Sequence, residues 1–132
     1  MAMAARTTID DLLAQARAEL VRVEPHQVAE ALDSGAVLVD IRSDSQRAAD
    51  GIVPGALWFP RNVLEWRCDP SCEARDERIG GLERHVILMC DEGYQSSLAA
   101  STLQQLGFDR ATDLVGGFQA WRAAGLPVAP TA

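Results

Sequence analysis

The stretch His85–Phe108, HVILMCDEGYQSSLAASTLQQLGF, decides how this chain folds. An apolar run ends in Cys90, and polar or small residues follow. Apolar residues then return at helical spacing, with Ala99, Leu103 and Leu106 on one face. Gly107 suits a left-handed C-cap, with Phe108 behind it. The succession is a strand, a short loop with a cysteine at its lip, and a helix. In open α/β sheets, ligands bind at the carboxyl ends of strands, beside helix N-termini.

The same alternation runs outward in both directions. Upstream, TTIDDLLAQARAEL (7–20) puts Ile9, Leu12, Leu13, Ala16 and Leu20 on one helix face, with Thr7 or Thr8 as N-cap. VRV (21–23) reads as a short strand. PHQVAEALDS (25–34) reads as a helix with Pro25 in its first turn and Gly35 as its stop. AVLVDI (36–41) is a continuous apolar strand of the kind buried on both faces of a parallel sheet. SDSQRAADG (43–51) follows as a helix and GALWF (55–59) as a strand. Residues 60–84 are irregular, with a helix expected over RNVLEW (61–66). Downstream, ATDLV (111–115) is a strand, and GGFQAWRAA (116–124) is a helix closed by Gly125 and Pro127. The pattern predicts an α/β sandwich around a mostly parallel sheet. The expected division is an N-terminal helical extension over 1–20 and one domain over 21–132.

The totals exclude several classes. At 132 residues, 48% hydrophobic and 23% charged, the chain buries a core without staples. A net charge of −7 argues against nucleic acid or an anionic membrane as partner. The longest apolar runs, Met1–Ala5 and Val86–Cys90, fall far short of the roughly 20 residues of a spanning helix. MAMAARTTIDD has no secretory pattern, and three cysteines do not pair into a disulfide framework. A reducing, cytoplasmic setting is expected.

The loop after Cys90 decides the chemistry. The backbone N–H groups of residues 91–96 are placed to turn around the sulfur, and Gly93 allows the left-handed backbone this needs. Amides and a helix N-terminus form an anion cradle suited to a thiolate nucleophile. Phosphocysteine chemistry needs an arginine six residues after the cysteine; that position is Ser96. Sulfur transfer needs only a single-charged persulfide, Cys–S–S⁻. A carboxylate about 7 Å from a bound anion costs about 2 kcal/mol per charge pair at an effective dielectric of about 20. Asp91 and Glu92 therefore tax a phosphate dianion twice as heavily as a persulfide.

Three segments together resemble the single-domain rhodaneses. VLVDIRSDSQRAADGIVPGALWFP (37–60) carries Asp-x-Arg after a strand and a Pro-Gly-Ala turn. CDEGYQSS (90–97) occupies the active loop, and LVGGFQAWRAAGLPV (114–128) is the Gly-Gly-x-x-Ala-Trp tail. The resemblance implies a five-stranded sheet with helices on both faces and a persulfide on Cys90. It implies no metal and no organic cofactor. Asp91, Glu92, Gly93, Tyr94, Gln95, Ser96 and Ser97 become the loop that binds substrate, with Asp40, Arg42 and Arg61 in support. The partners implied are a small sulfane-sulfur donor and a thiol or protein acceptor. The sequence departs from the common pattern at Gln95, where many members have arginine, and at Ile52, where many have histidine. The leading function is thus a sulfurtransferase. A non-turnover sulfur carrier or binding module is the alternative, and a cysteine phosphatase stands third.

The remaining candidates read as structural. Trp58, Trp66 and Trp121 are core or rim aromatics. Cys68 and Cys72 lack a second ligand pair for zinc, and read as separate thiols or a resolving partner for Cys90. His26 and His85 belong to the surface and a strand edge.

Overall fold

The computed structural model describes residues 5–131. Its elements are α1 (Ile9–Ala18), α2 (Pro25–Asp33), β1 (Val37–Asp40), α3 (Asp44–Asp50), β2 (Leu57–Trp58), α4 (Leu64–Cys68), β3 (Val86–Met89), α5 (Gln95–Gln105), β4 (Thr112–Asp113) and α6 (Gly117–Ala123). Two short 3-10 turns, Arg61–Val63 and Glu77–Ile79, interrupt the irregular stretch, so the single helix expected over 61–66 is split.

The sheet is parallel throughout, in the order β2-β1-β3-β4. Among the described residues it has four strands, which corrects the expected five. The segment VRV makes one parallel bridge, Val23 to Leu114, and no more. The Val23 N–H reaches the Asp113 carbonyl, and the Val115 N–H reaches the Val23 carbonyl. Pairing stops on either side for a local reason. The Val21 carbonyl accepts the Thr112 hydroxyl at 2.7 Å instead of a ladder amide. Beyond Val23, Pro25 has no N–H and opens α2.

Both central strands are buried along their whole length. Alternate side chains feed two cores, as the strand period of two requires. Val37, Val39, Val86 and Leu88 meet Ala99 and Leu103 of α5 and Leu64 of α4. Leu38, Ile87 and Met89 meet Val28 of α2 and Phe118 and Trp121 of α6. α1 lies against α5, opened by a Thr8–Asp11 capping box. Its expected apolar face is only half used: Ala16 is buried and Leu20 packs on the core, while Ile9 and Leu12 face solvent. Leu106, expected on the inner face of α5, is also partly exposed. No helix among the described residues is long and apolar enough to cross a membrane.

Candidate active site

β3 ends at Met89, and the next residue, Cys90, sits at the floor of a cavity of about 650 Å³. The thiol is nearly buried, at 6% exposure. Two loop amides point at its sulfur: Gly93 N–H at 3.1 Å and Ser96 N–H at 3.4 Å. Ser96 lies in the first turn of α5, so Sγ takes an amide that the helix leaves without a partner. The thiol in turn donates to Ser96 Oγ at 3.3 Å. Such N–H donors favour negative charge on sulfur.

The loop holds this shape because Gly93 sits at φ +88° and packs on the backbone of Gly116. The start of α6 seals it: Phe118 N–H reaches the Cys90 carbonyl at 2.8 Å, and Gln119 N–H the Asp91 carbonyl at 3.1 Å. The glycine pair of the tail segment therefore serves the cysteine loop directly.

Behind the loop lies a buried network that the sequence does not announce. Asp113, at the end of β4 and 0% exposed, accepts the hydroxyls of Ser96 at 2.7 Å and Ser97 at 2.8 Å. Arg22 closes on the same carboxylate, with Nε 2.8 Å from Oδ1 and Nη2 3.2 Å from Oδ2. Arg22 also donates to the Gly93 carbonyl at 3.0 Å. Arg17 donates to that carbonyl at 2.7 Å and to Ser97 Oγ at 3.1 Å. Separations of 71 to 91 residues explain why spacing could not reveal the arginine contacts. The one local hint was an acid inside the strand pattern ATDLV.

The other expected site residues divide. Tyr94, Gln95, Asp91 and Glu92 line the cavity, as do Arg42 and Arg61. Arg61 is turned onto Glu65, with Nη1 2.8 Å from both carboxylate oxygens. Arg42 is fully buried; it donates to both oxygens of Asp40 and to the Gly51 carbonyl, and stacks 3.8 Å from the Phe118 ring centroid. Its Nη1 has no protein partner. Asp40 does not line the cavity; it also faces Arg47 at 3.5 Å. Asp91 is tied to α6 by Gln119 Nε2 at 2.9 Å, whereas Glu92 is exposed. Ser97 points away from the sulfur, toward Asp113.

The remaining thiols differ from Cys90 in setting. Burial, with Glu65 and Asp76 nearby, pushes the Cys68 thiol up to about 12. Cys72 borders a separate hollow beside Trp66 and Leu106. All three cysteines are free, and no cluster of metal-ligating side chains occurs among the described residues. Brief iodoacetamide treatment near neutral pH, followed by peptide mapping, is expected to modify Cys90 first. Cys68 is expected to stay unlabelled while the protein is folded; faster labelling of either other cysteine would contradict the amide geometry.

The chain is similar to several known proteins. The family described as Rhodanese-like domain matches residues 24–124. A sulfurtransferase from Allochromatium vinosum is 34% identical over 92 residues, covering 70% of this chain and 77% of that one. The thiosulfate sulfurtransferase GlpE of Actinobacillus pleuropneumoniae is 34% identical over 107 residues, covering 80% and 90%. Among solved structures, a protein of unknown function from Rhodopseudomonas palustris, described as a possible tyrosine phosphatase, superposes with a TM-score of 0.85. It is 28% identical, and the match covers 98% of this chain and 99% of that one.

Proposed function

Because the chain belongs to the rhodanese-like family, we propose that it is a sulfurtransferase working through a persulfide on Cys90. The thiolate attacks the outer sulfur of a sulfane donor, forming a new S–S bond. The donor's own S–S bond breaks, and its electron pair leaves with the departing thiolate or sulfite. An acceptor thiolate then takes the outer sulfur, and Cys90 departs as thiolate. The observation that carries this reading is the pair of N–H donors from Gly93 and Ser96 on a sulfur opening into a cavity. The same donors favour Cys90 as the leaving thiolate when the outer sulfur is passed on, and Ser96 Oγ lies beside the sulfur.

The test is mass spectrometry after incubation with several sulfane donors. The expected result is a gain of one sulfur on Cys90, lost on adding an acceptor thiol and absent in Cys90→Ser. A persulfide that forms but never turns over with any thiol would favour the non-turnover carrier. The description of the Rhodopseudomonas palustris protein raises the phosphatase reading for this chain as well. The site argues against it. Where a phosphoryl clamp would stand, Ser96 is engaged with Cys90 and Asp113. A hydroxyl cannot replace a bidentate guanidinium. Aryl phosphate hydrolysis dependent on Cys90 would overturn the assignment.

Donor choice follows from charge. Thiosulfate is a dianion, and it meets Asp91 and Glu92 at the cavity while Arg42 and Arg61 are already paired. A sulfane donor with less negative charge, or an acceptor thiol on a basic protein surface, fits the cavity better. Asp91→Ser combined with Glu92→Lys is expected to raise kcat/KM for thiosulfate about tenfold, with the gain shrinking as salt rises. A neutral sulfane donor should change little. An unchanged thiosulfate rate in the folded variant would locate donor selection elsewhere.

A further inference from the structure

The loop itself carries no cation: Asp91 and Glu92 are acidic, and Gln95 is neutral. A buried sulfur that must hold a negative charge needs positive potential from somewhere. From the far wall of the cavity, Arg42 is balanced by Asp40 and Arg61 by Glu65. From β4, Asp113 adds a buried negative charge, one hydroxyl away from the sulfur through Ser96. Left alone, these groups would oppose a thiolate.

Two cations reach the back of the loop from outside the family-matched stretch of 24–124. Arg22 neutralises Asp113 in a two-point contact, and Arg17 adds a further positive charge. Both converge on the carbonyl of Gly93, the residue whose N–H is on the sulfur. Arg17 also lies 5.6 Å from the Tyr94 ring centroid, so its guanidinium covers the loop's outer turn as well. The charge behind the loop is thus two arginines against one aspartate. We propose that Arg17 and Arg22 are positioning residues that add positive potential behind the amides already on the sulfur. They fix the loop through the Gly93 carbonyl and balance Asp113, bringing from the N-terminal segment positive charge to a loop that carries none of its own. The proposal rests on Cys90 acting as a thiolate, as in the sulfurtransferase reading.

The experiment follows alkylation of Cys90 by iodoacetamide against pH, read by peptide mass, in the full chain. Arg17→Gln is expected to slow the reaction about tenfold at neutral pH. At a pH high enough to ionise Cys90 in both proteins, its rate should match the parent protein. Arg17→Lys keeps the charge and should recover most of the neutral-pH rate. Arg22→Gln should fall further, and adding Asp113→Asn should restore part of the loss by removing the unbalanced carboxylate. If Arg22→Gln lacks the parent's circular dichroism, the Arg17 variants decide alone. A parental rate for Arg17→Gln at neutral pH would overturn the proposal, and so would slowing by the same factor at every pH, which would indicate lost loop shape. Alkylation needs no sulfur donor. A parent protein that alkylates as described but never gains sulfur would count against the sulfurtransferase reading and not against the arginine pair.

Discussion

Gly93→Ala is expected to lower stability by about 3 kcal/mol and to slow persulfide formation on Cys90 more than a hundredfold. A Cβ at this position would lie 2.7 Å from the Gly116 nitrogen, 3.2 Å from its Cα and 3.3 Å from the Gly117 nitrogen. All three are backbone atoms, held by α6, and cannot swing aside. The left-handed conformation at φ +88° adds roughly 1–2 kcal/mol for any residue with a Cβ. Relief requires moving the loop, which takes the Gly93 N–H off the sulfur. A hydrogen bond to a charged group is worth about 1.5–3 kcal/mol, so its loss alone costs one to two decades in rate. Gly55→Ala is the control. Gly55 has φ +85°, yet nothing lies within 4 Å of its added Cβ, so only the backbone penalty remains. Urea denaturation and donor-dependent mass gain measure the two effects. Equal losses at both glycines would mean that the contact with α6 does not hold the loop.

Asp113→Ala is the second large effect, about 3–4 kcal/mol of stability. The carboxylate is completely buried and serves four donor groups: the Ser96 and Ser97 hydroxyls, and Nε and Nη2 of Arg22. Removing it leaves two buried hydroxyls and a largely buried guanidinium, whose side chain is 18% exposed, without their partner. Asp113→Asn keeps one oxygen for a serine but no charge for Arg22, and should lose about half as much. Thermal or urea unfolding of the two variants checks the order. A variant at Asp113 within about 0.5 kcal/mol of the parent would show that water or rearrangement satisfies the network.

The elements of the sheet were readable to different degrees. β1 and β3 are continuous apolar runs, and their burial on both faces follows from that pattern alone. VRV carries the same residue types, yet makes a single bridge, because Pro25 and the Thr112 hydroxyl end its pairing. The first of these causes stands in the local sequence; the second depends on which strand lies alongside. Likewise the spacing of Ile9 and Leu12 identifies a helix but not how much of it meets α5.

By itself, the sequence determined the strand–cysteine–loop–helix order, the left-handed glycine at 93, the missing arginine at 95 and 96 and the two acids at 91 and 92. These are local: each depends on residue type and position along one short stretch. Only the tertiary structure decided which amides reach the sulfur, that Arg42 and Arg61 are already paired, and that Asp113, Arg22 and Arg17 stand behind the loop. Parallel strands bring their ends together across connections of tens of residues, so charges distant in the chain become neighbours. Periodicity carries the period of an element; it carries nothing about the partner at its end.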